Sequence, residues 1–319
     1  MRFLPLCMIL TVLSLSFCAQ KEAPSPAPVV VTPTTPTTPT TPTDTAKKLV
    51  WSDEFDKAGL PDSTKWAYNI GTGTNGWGNN ESEYYTKDST NARIENGNLV
   101  IEARKESRGG KNYTSARLIT QGKVSWTYGR FEIRAKLPKG VGSWPAIWML
   151  GTNIEGAGAV GWPACGEIDI MEHTGKELGA ISFSAHSKLL NWTLGTQKTY
   201  KTYIDGVTDT FHVYSIDWTK DMIKFYVDGV LYYNVPNDGR GVDYYPFVAP
   251  QFLILNLAYL KIYLIFFCIK LLDLLVKMYF LKYINNLSLY FLTLFLTFLT
   301  NCFKAFLTTL LNLINLIFF

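Results

Sequence analysis

The sequence predicts an all-β sandwich or barrel over about residues 48–259. Short runs in this region alternate apolar and polar residues, as in residues 98–103 and 131–136, and turns rich in Gly, Asn and Asp separate them. The dipeptide Asp228-Gly229 lies between two such runs and indicates a β-hairpin. No long helical period occurs in this region. Many short strands joined by tight turns are typical of two packed β-sheets.

The first 18 residues predict an export signal. Arg2 precedes an apolar run over residues 3–17, and that run is too short to span a membrane comfortably. Residues 15–18 resemble the cleavage box of a bacterial lipoprotein, with Cys18 as the lipidated residue. Phe17 is bulkier than the small residue usual there, so a plain secretory signal is the alternative. We expect a secreted protein or a lipoprotein anchored in the outer membrane at the cell surface.

Residues 19–47 predict a linker. They are rich in Pro and Thr and contain repeats of Thr-Thr-Pro. Such a segment cannot bury a core and favours extended, polyproline-like conformations of about 3.1 Å per residue. We interpret it as a spacer that holds the folded domain, residues 48–258, away from a surface.

The C-terminal tail, residues 259–319, is apolar and differs from the rest of the chain. It contains no Gly, Pro, Trp, Arg, Glu or His and consists mainly of Leu, Phe, Ile, Lys, Tyr and Asn. We interpret it as an out-of-frame translation joined to a domain that lacks its last strand. The alternative is a membrane anchor, because residues 283–303 and 305–319 carry no charge.

Charge and cysteine content exclude two classes of protein. The net charge of +4 comes from the tail, which has five Lys and one Asp, so the remainder is near neutral and predicts no nucleic-acid partner. Of the five cysteines, only Cys165 lies in the folded domain, which leaves no disulfide pair there. We expect Cys165 to be a packing residue.

Three carboxylates lie within six residues, at Glu167, Asp169 and Glu172, in a segment that is otherwise apolar and β-prone. Side chains alternate faces along a strand, so Glu167 and Asp169 point the same way, and one extra residue in a β-bulge would bring Glu172 to their side. A solvated strand face is the structural alternative. A retaining glycosidase requires such a group, with a nucleophile and a proton donor about 5–5.5 Å apart.

Several further motifs accompany this acidic segment, in a fixed order. Together they resemble glycoside hydrolase family 16, specifically the laminarinase-like endo-β-1,3-glucanases. The resemblance implies a β-jelly-roll sandwich of the concanavalin A-like kind, with a substrate cleft on its concave sheet. It is carried by residues 50–55 (VWSDEF), 76–81 (GWGNNE), 113–118 (YTSARL), 128–132 (YGRFE), 144–150 (WPAIWML), 166–173 (GEIDIMEH), 211–214 (FHVY) and 225–229 (FYVDG).

The resemblance implies roles for the acidic residues. Glu167 matches the nucleophile and Glu172 the acid/base. Asp169 matches the aspartate that hydrogen-bonds the nucleophile. Glu167 has to be ionised to attack, whereas Glu172 has to hold a proton, and neighbouring negative charge raises its pKa.

The resemblance also implies a set of substrate-binding residues. These are the subsite tryptophans Trp144 and Trp148, the polar residues Arg117 and Asn80, and His186, which lies close to the acids. Core packing is the alternative for the tryptophans and solvation is the alternative for Arg117. His173 and His212 are expected to be structural. Asn191-Trp192 departs from the family, in which Asn-His is frequent.

We therefore expect a monomeric endo-β-1,3-glucanase whose partner is a polysaccharide, laminarin-type β-glucan. We expect no cofactor and no complete metal site, because no residues have metal-ligand spacing. Three alternatives remain: a related enzyme for mixed-linkage β-glucan or algal galactan, a non-catalytic glycan-binding jelly roll, and an inactive fragment. The intact acidic segment argues against the non-catalytic protein, since binding alone needs no such cluster.

Overall fold

The structure, a computed structural model, describes residues 47–260 together with Phe298. The expected signal, nearly all of the linker and nearly all of the tail lie outside the described residues, so the predictions made for them, including a missing last strand, stay predictions. In the described part of the chain, no helix is both long enough and apolar enough to cross a membrane.

Fifteen β-strands make up the regular structure of the described residues, connected by turns and short helical segments. In chain order they are β1 (Ala67–Tyr68), β2 (Glu83–Tyr85), β3 (Ala92–Glu95), β4 (Asn98–Ile101), β5 (Tyr113–Ser115), β6 (Arg117–Ile119), β7 (Gly129–Ala135), β8 (Ser143–Gly151), β9 (Glu167–His173), β10 (Ala180–His186), β11 (Lys198–Tyr203), β12 (His212–Trp218), β13 (Met222–Val227), β14 (Val230–Pro236) and β15 (Gln251–Tyr259).

The strands form the two main sheets of a jelly-roll sandwich, which confirms the all-β class predicted from the pattern and the jelly roll implied by the resemblance. The larger sheet has seven strands in the order β1-β6-β15-β8-β9-β10-β11, and the smaller has four in the order β14-β13-β12-β7. Two further pairs, β2-β5 and β3-β4, complete the described strands. The core lies between the main sheets, where the ring of Phe183 on β10 packs 5.7 Å from that of Phe225 on β13.

The turn chemistry of the sequence explains the hairpin between β13 and β14. Asp228 and Gly229 both have positive φ, at 50° and 78°, which is the backbone of the tight turn that Asp-Gly favours. The predicted hairpin is therefore confirmed. The predicted strand at residues 98–103 ends earlier, at Ile101, and the one at 131–136 begins earlier, at Gly129.

Two predictions concern single side chains, Cys165 and His212. Cys165 is a free and fully buried packing residue, as expected. His212 was expected to be a structural residue, and its side chain is only 13% exposed. It begins β12, and its Nδ1 lies 2.6 Å from Asp228 Oδ2, so a polar contact with the turn before β14 holds the ring in place.

Antiparallel register across the seven-stranded sheet determines which side chains share its concave face. Arg117 on β6 lies opposite Asn256 on β15, which lies opposite Ala146 on β8, which in turn lies opposite Glu172 on β9. This row runs across the strands. Cross-strand neighbours lie on the same face of a sheet, so the row forms one continuous surface that ends at the acidic strand.

Candidate active site

A β-bulge brings the three acidic residues of β9 to one face. Glu172 lies opposite Ala146, and Asp169 lies opposite Trp148. Ala146 and Trp148 are two positions apart on β8, whereas the two acids are three positions apart on β9. The register against β10 shifts at the same place. The extra residue offsets the alternation that would have turned Glu172 away. The bulge predicted from the sequence is confirmed, and it groups Glu167, Asp169 and Glu172.

Each of the two glutamates accepts a hydrogen bond from a tryptophan. The indole Nε1 of Trp162 donates to Glu167 Oε2 at 2.9 Å. The indole Nε1 of Trp144 donates to Glu172 Oε1 at 3.0 Å. An indole N–H can only donate, so each bond favours the ionised form of its carboxyl group and fixes its orientation.

His186 completes the acidic cluster from the neighbouring strand β10. Its Nε2 lies 3.2 Å from Asp169 Oδ2 and 3.7 Å from Glu167 Oε1. The ring is buried, and its Nδ1 has no hydrogen-bond partner in the described part of the chain. The resemblance implied that His186 lies close to the acids, and the structure brings it into contact with Asp169 and Glu167.

Burial dominates the electrostatics of this cluster. It raises the pKa of Glu167 to about 8, with the charge of Asp169 adding to the shift and the charge of His186 opposing it. Burial and then Glu172 raise the pKa of Asp169 well above its usual range. Burial also raises the pKa of Glu172, against the effects of His186 and Trp144.

These shifts favour the neutral forms of the three carboxyl groups. The proton-donating role expected for Glu172 requires the neutral form, and that role stays a prediction. The nucleophilic role expected for Glu167 requires the ionised form, which a pKa of about 8 disfavours at neutral pH. Apolar side chains close to Glu167 cause its burial. Trp148 and Trp162 pack there on Leu150, Cys165 and Ile254.

Trp148 and Arg117 form a stacked group beside the acids. The Arg117 guanidinium carbon lies 4.7 Å from the centroid of the Trp148 ring and 4.5 Å from that of Trp77. Arg117 Nε donates to Asn69 Oδ1 at 3.0 Å, and the residue is only 6% exposed. The solvated-arginine alternative is therefore wrong, since Arg117 is held between two indoles.

Trp144, Trp148 and Asn80 occupy different depths. The two tryptophans lie on the concave face of β8 and are half-buried, so neither is enclosed in the core, although Trp148 packs on core residues. Asn80 ends the tight turn Gly76–Asn80 and is exposed. Its backbone N–H donates to the Asn75 carbonyl at 3.0 Å. The turn also carries Trp77 and so connects Asn80 to the Arg117 stack.

Four residues of the site were not identified from the sequence. Trp162 holds Glu167, Trp77 stacks on Arg117, and Asn256 and Tyr85 support Trp148 from below. Trp162-Pro163 precedes Glu167 by five residues, and that proximity was the available signal for Trp162. Asn256 had no local signal, because only the pairing of β15 with β8 brings it to Trp148.

Glu167, Asp169 and His186 also have the donor types of a metal site. One potential ligand atom from each lies within 4.8 Å of the other two, and they are the one such group among the residues described. Spacing along the sequence did not predict this proximity, since His186 comes from a different strand. The contacts between His186 and the two acids account for the grouping, so it carries no metal assignment.

Comparison with known proteins places this arrangement among carbohydrate-active enzymes. The profile of the glycosyl hydrolases family 16 matches residues 79–259. A β-glucanase of Rhodothermus marinus is 50% identical over 218 residues, which span 66% of this chain and 75% of that enzyme.

Two solved structures are similar as well. The laminarinase of Rhodothermus marinus superposes with a TM-score of 0.63 at 49% identity, over 66% of this chain and 86% of the other. SCLam, a non-specific endo-β-1,3(4)-glucanase, gives a TM-score of 0.62 at 46% identity, over 66% of this chain and 80% of the other. Both similarities cover the jelly roll that carries the acidic strand.

Proposed function

The chain belongs to glycosyl hydrolase family 16, and from that premise we propose that it hydrolyses internal β-1,3-glucosidic bonds of laminarin-type β-glucans with retention of configuration. One observation carries the proposal. The bulge in β9 groups two glutamates on the concave face, and each accepts a hydrogen bond from its own indole, Trp162 for Glu167 and Trp144 for Glu172. Laminarinase relatives support the choice of glucan.

In the first step, a carboxylate oxygen of Glu167 attacks the anomeric carbon and the glycosidic C–O bond breaks. The departing oxygen takes the proton of Glu172, which leaves a glycosyl-enzyme ester and an ionised Glu172. In the second step, Glu172 removes a proton from water, and the water oxygen displaces Glu167. Two inversions at the anomeric carbon give net retention.

Asp169 and His186 affect how readily Glu167 ionises. The attack requires an ionised Glu167, whereas burial and the charge of Asp169 favour its neutral form. A proton on Asp169 removes that repulsion, and the charge of His186, 3.7 Å from Glu167, opposes the shift. The cluster can therefore ionise Glu167 by holding its protons on neighbouring groups.

Trp148, Trp144, Arg117 and Asn80 form the proposed binding surface for the sugar chain. The half-buried indoles on β8 present flat apolar faces to the C–H faces of sugar rings. Arg117 stacks against Trp148 and limits its movement. Exposed Asn80 offers amide groups to sugar hydroxyls at the rim.

Mixed-linkage β-glucan is the second candidate substrate. SCLam, 46% identical, is described as a non-specific endo-β-1,3(4)-glucanase. A cleft that binds either a β-1,3- or a β-1,4-linked glucosyl unit next to the same acids would hydrolyse both kinds of bond. Release of reducing ends from laminarin, lichenan and agarose compares the two glucans and tests the galactan alternative.

Azide rescue tests the roles of the two glutamates. With an aryl β-laminaribioside, azide should rescue Glu167→Ala as the α-glycosyl azide, because azide replaces the missing nucleophile. It should rescue Glu172→Ala as the β-glycosyl azide, because azide attacks the glycosyl-enzyme. Glu132→Ala, at an exposed position of the four-stranded sheet, is the control and should keep wild-type activity. Initial α-anomer from wild-type hydrolysis would contradict retention.

We also propose that Cys18 is lipidated and that residues 19–47 are the spacer between lipid and enzyme. The proposal rests on the sequence alone, since these residues lie almost entirely outside the described part. More than one acyl chain gives firm anchoring, whereas a single chain holds weakly. Cys18→Ser should move the protein from the membrane fraction to the soluble fraction. A wild-type protein that is already soluble, with another mature N-terminus, would contradict the anchor.

A further inference from the structure

Trp192 is an exposed indole near the acidic strand that the proposed mechanism does not use. It begins a short helical turn, Trp192–Leu194, in the connection between β10 and β11. The residue is 51% exposed. Single exposed apolar side chains are common on protein surfaces, so exposure alone assigns no role. Two further observations distinguish Trp192.

The first observation is that the turn is held in place by one buried side chain. Asn191 is 2% exposed, and its Nδ2 donates to the carbonyls of Ser187 and Lys188, both at 3.1 Å. Its Oδ1 accepts from Leu194 N at 3.3 Å and from Thr193 Oγ1 at 2.5 Å. The turn that presents the indole is therefore pre-organised, which reduces the entropy cost of binding a ligand to it.

The second observation is that Trp192 is continuous with the acidic cluster. Its ring centroid lies 6.2 Å from that of Trp162, at an interplanar angle of 38°. Trp162 in turn donates to Glu167 Oε2 and lies 6.2 Å from the ring of His186. A single indole, that of Trp162, therefore connects Glu167 with Trp192.

The strand order shows on which side of the acidic residues Trp192 lies. Arg117 is on β6 and Trp148 on β8, on one side of the acids of β9. Trp192 follows β10, on the other side. A sugar chain that crosses the strands over Trp148 and Glu167 continues toward the connection that holds Trp192.

We propose that Trp192 is a sugar-stacking platform that extends the cleft past Glu167 on the side of β10 and β11. It would bind a glucosyl unit other than the two that flank the cleaved bond. The inference rests on the proposed function, because the ligand is the same β-glucan. An added stacked ring is expected to strengthen binding about fivefold to tenfold, and only for chains long enough to reach it.

The test measures binding as a function of chain length in the Glu167→Gln protein, which cannot turn over its ligand. Calorimetry with laminarioligosaccharides from two to seven units gives the Kd series for Glu167→Gln and for the double variant with Trp192→Ala. We expect the double variant to bind the longest chains about fivefold to tenfold more weakly, and the shortest chains within twofold. In the active enzyme, Trp192→Ala should shift the positions at which end-labelled hexaose is cleaved.

Two controls separate stacking from folding. Leu194→Ala changes another exposed apolar residue of the same turn and should leave every Kd within twofold. Trp192→Phe retains an aromatic face and should keep part of the length dependence. Trp192→Ala with every Kd and every cleavage position unchanged would overturn the inference alone. A Glu167→Gln protein that binds neither laminari- nor mixed-linkage oligosaccharides would overturn the proposed function, and the inference with it.

Discussion

The indole nitrogen of Trp148 donates a 2.7 Å hydrogen bond to Asn256 Oδ1, from a position 108 residues earlier in the chain. Asn256 Nδ2 donates onward to the Tyr85 hydroxyl at 3.0 Å, and that hydroxyl donates to Glu81 Oε2 at 2.7 Å. The direction of the series is set at Trp148 and Asn256, because an indole N–H can only donate and an amide oxygen can only accept. The series ties a proposed substrate-binding tryptophan to a buried acid.

Tyr85→Phe should weaken substrate binding and stability together. The change removes one hydroxyl and leaves Asn256 Nδ2 and Glu81 Oε2 unpaired in a buried site. An unpaired buried polar group costs about 1–3 kcal/mol, so the melting temperature should fall by several degrees. Because Trp148 loses its indirect support, KM for laminarin should rise about fivefold, with a smaller change in kcat. Thermal melts and initial rates measure both effects.

Tyr84→Phe is the matched control. Tyr84 is the neighbouring residue, and its hydroxyl makes no hydrogen bond within residues 47–260. The Tyr84→Phe variant should therefore keep the KM and the melting temperature of the wild type. Equal effects of the two variants would mean that the series below Trp148 does not position the indole.

The acidic cluster could be predicted from the sequence to a large extent, because its information is local. Glu167, Asp169 and Glu172 lie on one strand, and the alternation rule with one bulge determines their common face. His186 came from the resemblance to the family. The supports of the cluster were not predictable in this way. Asn256 reaches Trp148 only through the register of β15 with β8.

Electrostatic state was the least predictable property of the site. The sequence shows that carboxylates are close, and proximity raises a pKa. It does not show how deeply each group is buried, and burial is the largest cause of the shift for Glu167, Asp169 and Glu172 alike. Arg117 illustrates the same limit, since an arginine expected to bind hydroxyls or solvent is packed between Trp77 and Trp148.

Glu83→Gln should make stability less dependent on pH. Glu83 is fully buried, its Oε2 accepts from Tyr259 N at 2.7 Å, and its Oε1 has no partner in the described part of the chain. Burial, followed by the neighbouring Glu81, raises its pKa from 4.5 to about 8. A raised pKa means that protonated Glu83 stabilises the fold below pH 4.5. That contribution is lost as the pH rises through about 8.

The loss is on the order of 1–3 kcal/mol at neutral pH, and Gln, which stays neutral, avoids it. Wild type and Glu83→Gln should therefore melt at similar temperatures near pH 5, whereas the variant should melt higher near pH 8.5. Glu95→Gln, at an exposed position, is the control and should follow wild type. Parallel curves for wild type and Glu83→Gln would show that Glu83 does not change charge on unfolding in this range.

His186→Gln should move both limbs of the pH profile of kcat/KM to higher pH. Burial is the main cause of the raised pKa of Glu167 and of Glu172, and the positive charge of His186 opposes it at both groups. Loss of that charge raises both pKa values further.

Asp169→Asn is the opposite change, since the charge of Asp169 raises the pKa of Glu167. It should move the acidic limb to lower pH, and a shift of both variants in one direction would contradict this scheme.

Trp162→Phe and Trp144→Phe should each move a different limb of that profile. Each keeps an aromatic ring but loses the N–H that donates to one glutamate, Glu167 or Glu172. Both bonds lower the pKa of their acceptor, so each variant should raise it. Glu167 has to be ionised to attack, so Trp162→Phe should shift the acidic limb upward. Glu172 has to be protonated, so Trp144→Phe should shift the alkaline limb upward.

A hydrogen bond to a charged group contributes about 1.5–3 kcal/mol, so kcat/KM at the optimum should fall about tenfold in either variant. The measurement is kcat/KM for laminarin between pH 4 and 10, and Trp126→Phe, outside the acidic cluster, is the control. If Trp162→Phe moved the alkaline limb and Trp144→Phe the acidic one, Glu172 would be the nucleophile and Glu167 the acid. The pair therefore tests the assignment of the two roles with substitutions that leave both carboxylates in place.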